Sequence, residues 1–384
     1  MYNFDELANR RNTYSLKWDV KDDELPMWVA DMDFKVAPFI KNAIKKRMDI
    51  EAYGYSLIPE EFFYSIIGWY KRRHRIEFKR EWMIYSSGAV AAISSMVRRI
   101  TNVGDNVIVQ APTYNIFYNS IINNKRVVLS NDLKYENGVF VVDFIDLEKK
   151  MSDERTTLMI LCNPHNPIGK IWSKEELEKI GQLAKKHNVT VISDEIHCDL
   201  TDPGYEYVPF ASVNDINKEI SITCIAASKT FNIAGLQSAC LIIPNESLRK
   251  NVDRGLNNDE VAEPNFFSME ANIAAFTNGD IWVDELREYI HANKQYFYNF
   301  IKDNLPKLHV VEGHATYLVF VDISYYSNDS VKFCKDLREK TRLYVSDGEE
   351  YGKNAKSFFR INLATSRENV KDGCKRLKKY VDTL

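Results

Sequence analysis

The sequence predicts an α/β fold in which a mostly parallel sheet forms a large domain, accompanied by a smaller α+β domain. The chain has 384 residues, which is too long for one small hydrophobic core and fits two domains. Two apolar runs, residues 157–162 and 189–193, flank a helical pattern, and such a unit forms a parallel strand pair with a right-handed crossover. Further on, an alternating run at 317–323, a helical pattern at 331–341 and a strand-like run at 358–363 predict the smaller domain.

Composition and charge exclude several classes of protein. The formal net charge is −3 and no basic block occurs, which argues against nucleic acid and membrane surfaces as partners. The six cysteines include no C-x-x-C pair and indicate reduced, buried thiols. Residues 1–11 carry Asp5 and Glu6 and lack the apolar core of a signal peptide, and no apolar run approaches membrane-spanning length. We therefore expect a cytoplasmic protein, and because the seven histidines show no ligand spacing we expect no metal site.

The first part of the chain predicts an extended arm followed by two helices. Residues 1–34 show little helical periodicity, and Pro26 and the turn at 30–33 interrupt them. Residues 37–48 can form a short helix. Residues 59–73 read as an amphipathic helix that buries Phe62 and Ile66.

A glycine-containing turn, residues 85–90, opens the next helical pattern, which runs to Arg99. Such a turn leaves backbone N–H groups free at the positive end of a helix, which is a ready site for a phosphate. Many turns of this kind bind only water. Residues 106–110 then form a short strand, and Tyr114 lies just beyond its carboxyl end.

The strand–helix–strand unit in the middle of the chain brings a carboxylate to a sheet edge. Ser173 and Glu176 form a capping box at the start of its helix, and residues 189–193 form its second strand. Asp194 follows that strand, at the carboxyl end where ligands gather in parallel sheets. It is either a helix cap or a functional carboxylate.

Lys229 follows another buried strand, residues 220–225. A lysine in that position is poorly solvated, which lowers the pKa of its amine, and the neutral amine is the form that attacks an aldehyde. By itself the residue is as readily a lysine that extends from a strand end into solvent. Its neighbours along the chain favour the chemical role.

Five motifs occur in the order typical of one family. The chain resembles pyridoxal-phosphate enzymes of the aspartate aminotransferase fold (fold type I), and among them the cystathionine β-lyase or cystalysin-like carbon–sulfur lyase branch. The resemblance covers essentially the whole chain and is carried by Trp28-Val29-Ala30-Asp31-Met32-Asp33-Phe34, Cys162-Asn163-Pro164-His165-Asn166-Pro167-Ile168-Gly169, Ser193-Asp194-Glu195-Ile196-His197, Ser228-Lys229-Thr230-Phe231-Asn232-Ile233-Ala234-Gly235-Leu236-Gln237 and Arg360-Ile361-Asn362-Leu363-Ala364.

The resemblance implies pyridoxal 5'-phosphate as cofactor and assigns residues to each part of it. Lys229 would bind the aldehyde, Asp194 would hold the pyridine nitrogen protonated, and Tyr114 would stack on the ring. Asn166 would bond the phenolate oxygen, and His197 would bond either that oxygen or Asp194. The phosphate would lie against the turn, and the residues expected there are Ser87, Gly88, Ala89, Val90 and Ser228.

Other positions are implied to bind substrate. Arg360 would bind the substrate's α-carboxylate in a bidentate manner. The alternative for a buried arginine is an internal salt bridge. Val29 and Ala30 would line the same region, together with Asn166. Tyr55 would reach into the site of a second subunit, which implies a homodimer with shared active sites.

Two positions depart from the wider aminotransferase pattern. Ala226 stands where a phosphate-binding serine is common, and Gln237 where many aminotransferases place an arginine. The glutamine agrees with the lyase branch. The alanine implies a thinner phosphate site, for which Ser228 can compensate.

The resemblance implies α,β-elimination on cystathionine or a related S-substituted cysteine, which yields a thiol such as homocysteine, pyruvate and ammonia. An aminotransferase is the alternative enzyme, because it would use the same residues as far as Cα deprotonation. A cofactor-bound regulator that acts through a protein partner is the alternative of another class. For domains, we expect a large cofactor-binding domain at 48–275, for which the resemblance implies a seven-stranded sheet, and a small domain built from residues 1–47, including the arm, and 276–384.

Overall fold

The computed structural model describes residues 2–384. In that range the helices are α1 Pro38–Met48, α2 Glu60–His74, α3 Ala89–Ile100, α4 Asn115–Ile122, α5 Phe144–Met151, α6 Lys174–Lys186, α7 Asp215–Ile220, α8 Ala227–Thr230, α9 Glu246–Asn258, α10 Ser268–Asn278, α11 Asp280–Asn304, α12 Ser330–Thr341 and α13 Arg367–Val381. The strands are β1 Leu25–Pro26, β2 Met83–Ser86, β3 Asn106–Val109, β4 Val127–Ser130, β5 Lys134–Glu136, β6 Val139–Val141, β7 Thr156–Cys162, β8 Thr190–Asp194, β9 Ser221–Ile225, β10 Ala239–Ile242, β11 His309–Val310, β12 Leu318–Asp322, β13 Leu343–Tyr344, β14 Ser346–Asp347 and β15 Phe358–Asn362.

A seven-stranded sheet in the order β2-β10-β9-β8-β7-β3-β4 organises the larger part of the molecule. Strand β10 runs antiparallel to both of its neighbours, and the remaining pairs are parallel. Strand β9 is buried at every residue and β7 at all but one, as expected for a sheet that is covered on both faces. The predicted α/β fold with a seven-stranded, mostly parallel sheet is confirmed.

The crossover from β7 to β8 passes through α6, as the capping box predicted. The Glu176 amide donates to Ser173 Oγ at 3.1 Å, and the Ser173 amide donates to Glu176 Oε2 at 2.9 Å. Together these bonds satisfy two donors that a helix start leaves open. The helix then buries Leu177, Ile180 and Ala184 against the sheet.

The smaller unit has a four-stranded antiparallel sheet in the order β11-β12-β15-β14. Its core includes Val319, Val321 and Ile361 from the strands and side chains from α12 and α13. Strand β1 of the amino-terminal arm pairs in parallel with β13, so both ends of the chain contribute to this unit. The 25-residue helix α11 leads from the larger part into it.

Two features of the chain bear on its environment. All six cysteines are free and buried. Across residues 2–384, no helix combines the length and the apolar character needed to cross a membrane.

Candidate active site

Four strands of the large sheet end at the same edge, and each leads into a segment that carries predicted site residues. Strand β2 leads into the turn at Gly88, β7 into the loop with Asn166, β8 ends at Asp194 and β9 leads into α8 with Lys229. Because parallel strands present their carboxyl ends together, these four segments are neighbours in space. The fold therefore places these four segments at one edge of the sheet, and the space that they border is called the cleft below.

Lys229 lies on the one-turn helix α8, where the sequence predicted only a position just past a strand. Its Nζ donates to the Ala30 carbonyl at 2.7 Å, and Tyr317 Oη donates to the same oxygen at 2.9 Å. Burial lowers the pKa of Lys229 to about 8; Asp31 and Asp194 oppose the shift, and Arg360 adds to it. A substantial fraction of the amine is therefore neutral near pH 7–8 and able to act as nucleophile or base.

Asp194 is the last residue of β8 and is buried. Its Oδ1 accepts a bond from the Ile196 amide at 3.3 Å, and a turn follows instead of a helix, so the helix-cap alternative is wrong. Burial raises the pKa of Asp194 to about 7, although the Ile196 amide and Lys229 lower it. A carboxyl group in this state suits a cationic ligand group, because such a partner would stabilise its ionised form.

His197 adds an unsatisfied polar atom to the same cleft. The side chain is buried, and Nδ1 has no hydrogen-bond partner among residues 2–384. Burial, with Lys229 and Arg360 nearby, places the pKa of His197 well below its ordinary value, so the ring is neutral. Its edge faces Tyr317 with a centroid separation of 6.2 Å. The site therefore contains a neutral imidazole whose Nδ1 is available to a ligand.

Arg360 and Asn166 meet although 194 residues separate them. Arg360 Nη1 donates to Asn166 Oδ1 at 3.2 Å and Nη2 to the Trp28 carbonyl at 2.7 Å. The guanidinium carbon lies 4.7 Å from the centre of the Tyr351 ring. Its Nε is buried without a hydrogen-bond partner, and within residues 2–384 its hydrogen bonds go to an amide oxygen and a main-chain carbonyl and not to a carboxylate. The internal salt bridge proposed as the alternative is therefore absent there, and the arginine is available for an anionic ligand.

The loop with Val29 and Ala30 is held in this cleft by Asn362. Asn362 Nδ2 donates to the Val29 and Asp31 carbonyls, both at 2.6 Å. Asn362 stands two residues from Arg360 on β15, so both side chains project from the same face of the strand. Sequence reasoning overlooked the roles of Asn362 and Tyr317, and the i, i+2 spacing of Arg360 and Asn362 was the available signal for the former.

Tyr114 immediately precedes α4 and is partly buried. Burial raises the pKa of its hydroxyl, and Asp194 raises it further while Arg360 lowers it. Tyr114 is therefore close enough to both Asp194 and Arg360 to be affected by their charges.

The turn before α3 has the form expected of a phosphate site. Gly88 has φ +142°, and no side chain caps α3, so the N–H groups of Ala89 and Val90 begin the helix without a side-chain acceptor. The Ser87 amide, in contrast, already donates to the Val261 carbonyl at 2.9 Å. Ser228 is partly buried within α8, after Ala226, and Gln237 adopts a left-handed conformation.

Tyr55 is a predicted site residue that the chain itself leaves in solvent. Its side chain is fully exposed, at 100%. Tyr53 is also exposed and packs edge-on against Phe266. Within one subunit the structure therefore brings Lys229, Asp194, Asn166, His197, Tyr114, Arg360 and the Val29–Ala30 loop together, but not Tyr55.

The cleft fits pyridoxal phosphate in its donor set. Three features remain open: the Nδ1 atom of His197, the Nε atom of Arg360 and the uncapped start of α3. With Lys229 and Asp194, they offer partners for an aldehyde, a ring nitrogen, a phenolate, a phosphate and a carboxylate. No group of the predicted ligand lacks a partner of suitable chemistry.

Comparison with known proteins agrees with this geometry. The model of the family described as "Aminotransferase class I and II" matches residues 26–377 of this chain. Cystathionine beta-lyase PatB from Bacillus subtilis (strain 168) is 40% identical over 382 residues, which cover 98% of this chain and 99% of that protein. Cystalysin from Treponema denticola, solved with a pyridoxal 5'-phosphate cofactor, is 31% identical with a TM-score of 0.95 and covers 100% of this chain and 99% of its own. The PLP-bound C-S lyase from Staphylococcus hominis is 33% identical with a TM-score of 0.92 and covers 99% and 98%.

Proposed function

The chain belongs to the aminotransferase class I and II family, and on that basis we propose that it is a pyridoxal-phosphate-dependent carbon–sulfur lyase of the cystathionine β-lyase type. The observation that carries this activity is the full-length 40% identity to a cystathionine beta-lyase. The structural match to two lyases that bind the same cofactor supports it.

The cofactor would be held by residues at one edge of the sheet. Lys229 would bind its aldehyde, Asp194 would pair with its ring nitrogen, and the start of α3 would receive its phosphate. Tyr114 would stack on the ring, and Asn166 and His197 would bond the phenolate oxygen. When bound, pyridoxal phosphate withdraws electrons from the substrate's Cα, which makes the Cα proton removable.

The chain's own residues supply orientation and proton transfer. Arg360 binds the α-carboxylate through its planar guanidinium, in which Nε has no partner and each Nη atom donates to only one protein oxygen. The Lys229 amine takes the Cα proton, for which its pKa of about 8 is well matched. The Val29–Ala30 loop, fixed by Asn362, closes the same side of the cleft.

The reaction balances with one water. The Cα proton and the Cβ–S bond are lost, and sulfur leaves with the bonding electrons as a thiolate that is then protonated. The remaining three-carbon unit takes up water and releases ammonia and pyruvate. Cystathionine, the leading substrate, gives homocysteine; cystine, cysteine and S-alkyl cysteines are the related candidates.

The working unit in this proposal is a cytoplasmic homodimer. Tyr55 is fully exposed, and other exposed apolar side chains, Ile50, Leu57 and Tyr64, occur close to it in the sequence, which favours a subunit contact there. In the dimer, Tyr55 completes the site of the partner. The six buried free thiols suit a reducing cytoplasm.

An aminotransferase is the rival activity, and product analysis separates the two. The purified protein with pyridoxal phosphate is incubated with cystathionine, with and without an added keto acid as amino acceptor. We expect thiol and pyruvate in equal amounts without the acceptor. Keto-acid products that form only when the acceptor is present, without thiol release, would establish transamination instead.

A further inference from the structure

A buried carboxylate outside the reacting cleft binds the residue next to Lys229. Asp199 is 5% exposed. Its Oδ2 accepts from Thr230 Oγ1 at 2.9 Å, and its Oδ1 accepts from Trp69 Nε1 at 3.0 Å and from the His74 ring at 2.7 Å. One side chain thus connects α8, α2 and the turn after β8.

The position of Asp199 in the chain gives these bonds a consequence for the site. Thr230 directly follows Lys229 and ends α8, which is a single turn and therefore depends on tertiary contacts for its position. Asp199 lies two residues after His197 and five after Asp194 in the same continuous segment. The Asp199 carboxylate therefore links the segment that contains Lys229 to the segment that contains Asp194 and His197.

The helix α2 supports this connection from a second side. Trp69 donates to Asp199 and also packs edge-on against Phe231, with ring centres 5.5 Å apart. Phe231 in turn stacks on Trp282 at 5.7 Å. Trp69, Thr230 and Phe231 are fully buried, so α8 has little freedom to shift relative to α2 as long as the bonds to Asp199 hold.

The surroundings of Asp199 favour the ionised carboxylate, which forms strong hydrogen bonds. Burial alone would raise the pKa of its carboxyl, but the hydrogen bond and charge of His74, with bonds from Thr230 and Trp69, bring it below the ordinary value. Hydrogen bonds to an ionised acceptor are stronger than those to a neutral one.

We propose that Asp199 is a positioning residue for the lysine: by holding Thr230, it fixes where the Lys229 amine stands relative to Asp194 and His197. The proposal rests on the proposed function for the identity of the reaction, but the placement of Lys229 can be tested without it. Asp199 itself touches no reacting atom.

A metal site is the competing explanation for the same cluster. Ligand atoms of His74, Cys198 and Asp199 lie within 4.8 Å of one another and line an open cavity of about 380 Å³. Both oxygens of the Asp199 carboxylate already accept hydrogen bonds, which leaves them poorly available to a cation. Four arginines also line the cavity and outnumber its two other carboxylates, Glu206 and Asp284; the arginines are Arg72, Arg73, Arg75 and Arg287.

The test compares Thr230→Val, Thr230→Ser and Asp199→Asn with Asp202→Asn as control. Thr230→Val removes one hydroxyl and keeps the shape, whereas Thr230→Ser keeps the bond to Asp199. Asp202 is another buried carboxylate of the same stretch, but it binds Lys294 at 2.8 and 2.9 Å. The holoenzymes are compared by the rate at which borohydride attaches the cofactor to Lys229, by the pH midpoint and size of kcat with cystathionine, and by melting temperature.

We expect Thr230→Val and Asp199→Asn to slow the borohydride reaction and to lower kcat about tenfold with a shifted pH midpoint. Thr230→Ser should behave like the wild type, and Asp202→Asn should lower only the melting temperature. The borohydride readout remains valid if cystathionine is not the substrate. Unchanged borohydride rates and pH midpoints in Thr230→Val would overturn the proposal, as would an equal loss of activity in wild-type enzyme treated with a metal chelator.

Discussion

At the scale of single residues, Arg360 differs from the other buried cations of this protein. Lys17 pairs with Asp33 at 2.8 Å and Lys294 with Asp202 at 2.8 Å, and each of these four side chains is almost fully buried. Arg360 is as deeply buried but bonds only to an amide oxygen and a carbonyl. A buried charge without a counter-ion is unfavourable, and this agrees with the proposal that the anion for Arg360 arrives with the substrate.

Replacing Arg360 with lysine should impair substrate capture more than folding. Lysine keeps the charge but loses the planar fork, and a half-satisfied carboxylate costs roughly 1–3 kcal/mol. This corresponds to a loss of about tenfold to a hundredfold in kcat/KM, with little change in Tm. Arg338→Lys is the matched control, since Arg338 binds Glu24 through Nε and Nη2 at 2.8 and 3.0 Å and should affect stability alone. An Arg360→Lys enzyme with normal kcat/KM and a much lower Tm would assign Arg360 to the structure instead.

The second prediction at this scale concerns pH and Asp194 in the cofactor-free protein. Its pKa is about 7 when folded and 3.8 in the reference state, so the folded protein holds the proton more tightly. Between these values the unfolded chain binds fewer protons, and the free energy of unfolding falls as pH rises. Asp194→Asn should make that decline shallower. Glu195, also raised to about 7 by burial, contributes in the same direction and remains in the variant.

The measurement is urea unfolding of both cofactor-free proteins at several pH values from about 4 to 7. Equal pH dependence of the two proteins would show that Asp194 does not carry this contribution.

At the scale of elements, sequence patterns predicted those helices and strands whose ends are fixed by contacts between residues close together in the chain. The capping box at Ser173 and Glu176 placed the start of α6 correctly, because both of its hydrogen bonds lie within four residues. Helix α8 was not predicted, because Ala227–Thr230 has no local signal strong enough for a helix. Its position depends on Asp199 and on Asn232, whose side chain bonds to Met32 and Phe34 of the arm.

The start of α3 offers a prediction for one element. Gly88 has φ +142°, which other residues rarely adopt, and a Cβ there would meet nothing within 4 Å. Gly88→Ala should therefore act only through the backbone, by roughly 1–3 kcal/mol of strain, and should turn the N–H groups of the helix away from the phosphate. We expect a higher Kd for pyridoxal phosphate.

Gly104→Ala is the matched control, because Gly104 has φ +89° and equally free space but lies in the turn before β3. It should lower Tm without changing the Kd. Equal Kd values for the Gly88 variant and the wild type would show that this turn does not bind the cofactor.

At the scale of the whole molecule, the cleft is assembled from contacts between distant parts of the chain. The Lys229–Ala30 bond spans 199 residues and the Asn362–Val29 bond spans 333. Composition and periodicity carry no information on such pairs, and the family resemblance supplied the grouping of Lys229, Asp194 and Arg360. It did not reveal Asp199, Tyr317 or Asn362, whose roles depend on side-chain positions in the folded protein.

The shared-site dimer can be tested by mixing two defective variants. In the proposed dimer, Tyr55→Ala lacks the residue donated to the partner, and Lys229→Ala lacks the residue that each subunit supplies to its own site. Co-expressed heterodimers contain one site with both residues, so we expect a random mixture to recover about a quarter of wild-type activity. Activity no higher than the average of the two separate variants would mean that Tyr55 does not complete a neighbouring site.

The most direct test of the central claim is to find which lysine carries the cofactor. The wild-type holoenzyme and Lys229→Ala are treated with borohydride, digested and analysed by mass spectrometry, and pyruvate formation from cystathionine is measured on the same preparations. We predict cofactor attached to the peptide with Lys229 in the wild type, none on any lysine of the variant, and loss of pyruvate formation with the substitution. Cofactor attached to another lysine, or substantial pyruvate formation by the variant, would contradict a site built around Lys229.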